Sequence, residues 1–445
     1  MASRPGTPTE RVGALLTVLG LAAFFASTAA LMPSIDAYWT KAALSLRAPR
    51  PFHSDLVLVG FEETSPPLTR PTLAAVLDSL VISRPSVVAL DVSLAPDGDS
   101  TGTAALRAAL ERAEVSGVAV VAPVELALRR RSEAGRAYAV WGLPDSALVP
   151  HLHLGFVTYE GRGLSRTPLS PAETAPLVLD VPWVVERDDG RFLPSFPLIA
   201  VAAHDGVWRA RNRPRPPTWG AEEVAGLVHA VGAVGGGDAT VGATVEAARR
   251  PALIGAAAEA PYEADLAFRT AGEVLAGLGL SRGLLRGRVV LVADLVPRSD
   301  GVDMVSTPRQ TARGGILQLF ALDTLLSGAS PRRVGPLWAV LFTVALCLGV
   351  LRAWAHSDRR GAAATALALV ALGVTAVAVV QSGRILPVVP MAWWVLLAAV
   401  SGLSAADALR ASTPWRPHVS RPLARARASA RDLWRRARDP DAPPS

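Results

Sequence analysis

A chain of 445 residues, half of them hydrophobic, has room for one large domain or two small ones together with membrane segments. The net charge of +7 first suggests nucleic acid, yet 30 basic and 32 acidic residues (net −2) lie between Pro33 and Arg333, leaving 15 basic and 6 acidic (net +9) beside the apolar runs. That is the positive-inside distribution rather than a basic stripe on a folded domain, so nucleic acid is not an expected partner; and the lone Cys347 excludes an intrachain disulfide or a thiolate metal cluster.

In chain order, the first element is an uncharged run of 21 residues, Val12 to Met32. At 1.5 Å per residue it matches the thickness of a bilayer core. It is long for a signal-peptide core of ~7–15 residues, so an uncleaved anchor is expected after a cytoplasmic N-terminus, 1–11. Residues 33–333 form the large domain. Asp55 to Phe61 (DLVLVGF) reads as a strand buried on both faces. Pro71 to Ser83 has helical spacing with Pro in the first turn, and Ser86 to Leu90 is a second strand ending at Asp91. This is a β-α-β unit, whose right-handed crossover makes the strands parallel. A helix over Thr103 to Ala113, a strand over Gly117 to Ala122, a helix over Ser195 to His204 and another including Gly272 to Leu278 follow. Arg288 to Ala293 is the last strand, and Gly315 to Leu326 a closing helix. Arg209 to Pro217 reads as a proline-rich loop, and Ala225 to Ala258 as irregular structure or an insertion.

Three further apolar runs, 334–351, 361–380 and 385–406, are expected to span the membrane. With the N-terminus inside, the three arginines between Arg352 and Arg360 and the nine of the tail fall on the cytoplasmic side. The short Gln381 to Arg384 connection and the domain 33–333 fall outside. The last three runs hold almost no ionisable group, which argues against a channel or transporter. The tail, 407–445, reads either as a polybasic strip on anionic lipid, with Leu433 and Trp434 inserted, or as a solvated segment that only fixes topology.

The motifs then invite comparison with one family. Leu56–Glu63 followed by Arg70 and a helix, RPSVVALDVSL (84–94), DDGRFLPSFPLIAVAAHDG (188–206), and GRVVLVADLVPRSDGVDMVSTP followed by GGILQLFALDTLLSG (314–328) occur in order, with one span before and three after. This series resembles the type-2 CHASE domain family of extracytoplasmic sensory modules. The resemblance covers roughly 40–410 and implies an α/β sensor domain with a mixed or mostly parallel sheet plus four transmembrane helices. It departs from the family at Pro66-Pro67-Leu68-Thr69-Arg70, where a Trp-Pro-type turn is usual, and at Gln318, Leu319 and Phe320, which replace His-Ala-Asn.

In open α/β sheets ligands bind beyond the carboxyl ends of the strands. Glu62, Asp91, Asp294 and Thr307 lie there, and with Arg70 they are the candidate ligand contacts; the competing reading is that strand-end acids cap helices or loop amides. Asp97 and Asp99 in PDGDS read as a turn, because a calcium loop needs more ligands. His151 and His153 would point the same way on a strand and could supply two metal ligands, but no third is identifiable. Ser165 and Ser195 lack a nucleophile elbow, and GAVGGGDATVG (232–242) does not join a clear strand to a helix. No metal, cofactor or enzymatic activity is expected.

Relatives commonly carry a kinase or cyclase after the spans, whereas Asp407 to Ser445 is too short for either. The expectation is a multi-pass bacterial inner (plasma) membrane sensor with both termini cytoplasmic. It would bind a small-molecule or protein signal outside and relay it to a separate cytoplasmic kinase or cyclase; a homodimer is compatible with this. The alternative is a membrane scaffold whose outer domain binds another envelope protein.

Overall fold

The computed structural model describes residues 39–46, 51–63, 65–132, 135–157, 180–187, 189–206, 219–233, 240–249, 252–253, 267–278, 282–296, 304–306, 311–328, 330–382 and 384–411. The expected first span, 12–32, and most of the tail lie outside these residues. In chain order the first elements are α1 (39–46), β1 (Leu56–Phe61), α2 (Arg70–Ile82), β2 (Val87–Asp91), α3 (Ser100–Val115), β3 (Ala119–Ser132), β4 (Gly135–Gly142) and β5 (His153–Val157). Then come β6 (Asp180–Val181), β7 (Val184–Arg187), β8 (Phe192–Pro194), α4 (Phe196–His204), α5 (Ala221–Ala230), α6 (Val241–Arg249), β9 (Ala252–Leu253) and β10 (Ala267–Thr270). Next are α7 (Ala271–Leu275), α8 (Arg282–Leu285), β11 (Val289–Asp294), β12 (Met304–Ser306), β13 (Thr311–Arg313), α9 (Gly314–Leu326) and β14 (Arg332–Arg333). The last are α10 (Pro336–Trp354), α11 (Asp358–Gln381), β15 (Arg384–Ile385) and α12 (Val388–Ala411).

The chain divides into two compact units, Met1–Val334 with Ala376–Leu386, and Gly335–Thr375 with Pro387–Ser445. The first is built on a nine-stranded sheet ordered β10-β1-β11-β2-β3-β4-β7-β8, with β5 also pairing β3. The pairs β10–β1, β1–β11, β11–β2, β2–β3 and β3–β5 are all parallel, which establishes a mostly parallel α/β fold. β1 and β11 are apolar throughout because both faces are covered. Leu56, Leu58, Val87, Ala89, Val289, Leu291 and Ala293 face one layer with α4 and α9. Val57, Val59, Phe61, Val88, Leu90, Val290 and Val292 face the other, with α2, α3 and α7.

The helix starts follow their local chemistry. Thr69, Asp99 and Ser195 cap α2, α3 and α4, accepting from the amides of Thr72, Gly102 and Leu198. Residues 225–258, expected to be irregular, carry α5 and α6 in large part. Within these two helices Val224, Leu227, Val228 and Val245 are buried, a helical spacing hidden in an Ala- and Gly-rich background.

Within this first unit three distant segments meet. β14 pairs in parallel with β15, and the Val334 amide donates to the Ile385 carbonyl (2.9 Å). Trp39 Nε1 donates to the Leu386 carbonyl (3.1 Å), and Gln381 Nε2 to the Leu46 carbonyl (2.9 Å).

The second unit is helical. Among the described residues α10 and α11 are long and apolar enough to cross a membrane, while the apolar part of α12, Val388–Leu403, is shorter. Four spans were expected; two meet this test, and 12–32 is not described. Leu337, Trp338, Leu341, Val344 and Leu348 of α10 are exposed, as apolar side chains are when lipid is the solvent. Trp354 joins this unit: an added Cβ at Gly361 or at Gly402 would lie 2.2 or 2.8 Å from Trp354 atoms, and Nε1 donates to Thr365 Oγ1 (3.3 Å). These small residues let the helices approach closely.

Candidate functional site

The carboxyl rim of the parallel strands collects the expected acids but does not aim them together. Asp91 ends β2 opposite Ala293, and Asp294 ends β11 opposite Phe61. Side chains alternate along a strand, so Asp91 shares the face of Val87 and Ala89, and Asp294 the face of Val290 and Val292. The two carboxylates therefore project to opposite sides of the sheet and do not form one cradle. Asp91 meets the start of α9: a Cβ on Gly315 would sit 3.3 Å from its Oδ2 and 2.8 Å from the Ala293 Cβ. A carboxylate at a helix N-terminus is favourable there. Asp294 Oδ1 accepts the Val296 amide (3.0 Å), a loop-capping contact. The Glu62 amide donates to Ser65 Oγ (3.1 Å). Thr307 lies outside the described residues.

Arg70 is at the same rim but turned inward. Nε meets Asp97 Oδ2 (3.1 Å), Nη1 meets Thr103 Oγ1 and Asp145 Oδ2 (3.2 Å), and Nη2 meets the carbonyls of Leu94 (3.4 Å) and Ala95 (2.6 Å). A guanidinium has five N–H donors, and this set occupies all five. Arg70 thus ties α2 to the β2–α3 loop and to Asp145, with no donor left for a bound anion.

Two glycines and a leucine shape the rim where sequence reasoning offered no candidate. A Cβ on Gly60 would lie 2.6 Å from Leu295 Cδ1, so the leucine side chain folds over the end of β1. It also comes within reach of Gly315, 3.9 Å from a Cβ there. The available signal was a glycine inside an otherwise apolar strand, which marks a close approach.

At the opposite, amino edge, Ser86 Oγ lies 2.7 Å from His204 Nδ1, and His204 Nε2 lies 3.8 Å from Asp55 Oδ2. The order Ser-His-Asp resembles a hydrolytic triad, but the Ser86 hydroxyl donates to the Arg288 carbonyl (2.9 Å) and is buried. His204 Nδ1 is then the donor to Oγ, the reverse of a general base. These contacts tie α4 to the starts of β1, β2 and β11.

The remaining expectations resolve locally. Asp97 and Asp99 form a turn, with Asp97 Oδ1 accepting the Asp99 amide (2.9 Å) and Asp99 capping α3. His151 ends a 3-10 turn and His153 begins β5, so the two do not share a strand. His151 instead meets Glu114 (3.1 Å) and Glu111 (3.6 Å) on α3. No group of three or more His, Cys, Asp or Glu able to hold a metal occurs among the described residues. Ser195 caps α4, whereas Ser165 lies outside the described residues.

Burial lowers the His153 pKa to about 4, against a smaller raising effect from Glu114. Below the ordinary value of ~6.5 the unfolded chain takes up a proton that the folded chain refuses until about 4. Stability present above pH ~6.5 is therefore lost on acidification, by about 2–3 kcal/mol near pH 4.5. Denaturant titrations between pH 7.5 and 4.5 should show this slope, and His153→Gln should flatten it.

A family model described as the CHASE2 domain matches residues 15–353, more than half of the chain. No curated protein and no solved structure matches it.

Proposed function

The chain belongs to the CHASE2 domain family of extracellular sensory modules, and from that premise we propose that it is a multi-pass membrane sensor of the bacterial envelope. Its sheet domain binds a signal outside the cytoplasm, and its apolar helices relay the resulting change to a separate cytoplasmic partner, a kinase or cyclase. It is not itself an enzyme.

The observation that carries this reading is the meeting of α1, β14 and the 381–386 segment. These segments follow the apolar run 12–32, precede α10, and join α11 to α12. One span before the domain and three after it bring all three to the same membrane side, and both termini to the other. Their hydrogen bonding supports that layout, as does the arginine distribution.

Asp91 and Asp294, each on its own face of the rim, remain with Glu62 and Thr307 the proposed signal contacts, with Arg70 as the frame. The opposed directions of Asp91 and Asp294 also favour a second reading, in which the rim binds another envelope protein rather than a small ligand.

Single cysteines test the topology. With Cys347 replaced by Ala, Glu63→Cys should react with a membrane-impermeant maleimide in intact cells, while Ser357→Cys and Ser445→Cys should react only after permeabilisation. The reverse pattern would sink the proposal. A small molecule that raises the melting temperature of the full chain separates the sensing reading from the scaffold reading.

A further inference from the structure

We propose that the amino edge of the central sheet is a docking face for the lipid surface of the chain's own membrane, a step that rests on the outer placement proposed above. β1, β11, β2 and β3 are parallel, so their starts share one edge. The chain enters and leaves the sheet domain there. His53 donates its amide to Asp323 Oδ1 near the end of α9 (2.8 Å), and Phe52 stacks on Phe320 with ring centroids 5.9 Å apart. Only residues 47–50 separate α1 from this entry, and only 327–331 separate α9 from β14. Four or five residues reach about 18 Å at most, so the edge is tethered close to segments that adjoin the apolar runs.

The chemistry of the edge suits a headgroup layer. Ile82 is 71% exposed at the end of α2, before β2, and Val115 is 89% exposed at the end of α3, before β3. The burial faces of these helices are already packed on the sheet, and neither aliphatic group is covered among the described residues. Arg84, between Ile82 and β2, is the one described non-glycine residue with a positive φ (52°), and its side chain is exposed. The Gly287 amide donates to the Arg84 carbonyl (3.0 Å), which binds this turn to the next and places Arg286, also exposed, beside it. Neither arginine forms an ion pair among the described residues.

Nearby acids are engaged elsewhere: Glu114 with His151 (3.1 Å), Asp78 with Arg112 (2.7 Å), and Asp55 beside His204 (3.8 Å) and His53 (3.9 Å). Asp205, exposed at the end of α4, lies on the other face of the sheet. Aliphatic side chains interleaved with unpaired arginines insert at the headgroup boundary and attract anionic lipid. The carboxyl rim, with Asp91 and Asp294, then points away from the membrane toward incoming signals.

The test is depth measurement on the full chain. With Cys347 replaced by Ala, nitroxides go on Ile82→Cys, Val115→Cys and, as the rim control, Glu63→Cys, in nanodiscs of phosphatidylcholine and phosphatidylglycerol. At 82 and 115, collisions with lipid-soluble oxygen should exceed those with an aqueous nickel chelate, and at 63 the order should reverse. Adding Arg84→Gln with Arg286→Gln should shift the first two labels toward the aqueous pattern. Labels at 82 and 115 that read like 63 overturn the proposal, as does low collision with both reagents, which means a protein partner covers the edge. A double arginine variant that leaves the depths unchanged overturns the anionic-lipid component. The two proposals fail separately: a Glu63→Cys chain unlabelled from outside intact cells refutes the outer placement, whereas an aqueous Ile82 with an accessible Glu63 refutes only the docking.

Discussion

The Arg70→Ala chain should lose about 3 kcal/mol of folding stability, the lower end of the range for removing one partner of a buried ionic contact. The loss arises less from the ion pairs than from what they leave behind. Asp97 and Asp145 are partly solvated and recover water. Thr103 Oγ1 and the Leu94 carbonyl lose a donor in a buried setting where water does not readily replace it. Against a total stability of about 5–15 kcal/mol this is a large fraction. Circular-dichroism melts of the full chain in detergent should show a fall in Tm on the order of 10 °C. Arg70→Lys should recover only part of it, because an ammonium has three donors and no planar fork. An Arg70→Ala protein that melts with the parent would show that the fivefold contact does not hold the rim.

Gly155→Ala should be comparably damaging, for a steric reason. Its Cβ would lie 2.5 Å from the Phe196 Cα and 2.6 Å from the Phe196 nitrogen. Those are backbone atoms of the first turn of α4, and backbone cannot step aside as a side-chain tip can. Phe156 also bridges Ser195, the α4 cap, so β5 and α4 are joined in register at this point. The helix must lift from the sheet, exposing part of the buried Phe196, Leu198 and Ile199 cluster, at about 3 kcal/mol. The same melts and a proteolysis time course should both report it. Gly226→Ala, inside α5 where an added Cβ meets nothing within 4 Å, is the control that should not destabilise and should, if anything, raise Tm slightly.

Much of the architecture was legible from the chain. Continuous apolar runs bounded by Asp, Pro and Gly mark β1, β2, β11 and the first part of β3 because parallel strands are buried on both faces. Thr69 with Pro71, and Ser195 with Pro197, mark two helix starts. β10, four half-buried residues, β7, four residues ending in Glu186-Arg187, and β8, only three residues, carry no comparable pattern. Their existence depends on neighbours far away in sequence. The site was legible only to the same degree. The rim position of Asp91 and Asp294 follows from strand ends, but their opposed faces follow from register, where one residue reverses direction. The role of Arg70 could not be read either, because its contacts lie 24 to 75 residues downstream.

β11 is the last strand of the main sheet in sequence and sits between β1 and β2, which do not touch each other. Everything made before residue 289 must therefore keep a strand-wide gap open through the middle of the sheet, with two apolar edges facing it. The domain cannot close until nearly all of it has left the ribosome and reached its compartment. Non-local parallel pairing of this kind is slow, and open strand edges invite aggregation meanwhile. Biogenesis of this chain is then a waiting problem, because the half-built sheet keeps open edges until residues 289–294 arrive to pair with both.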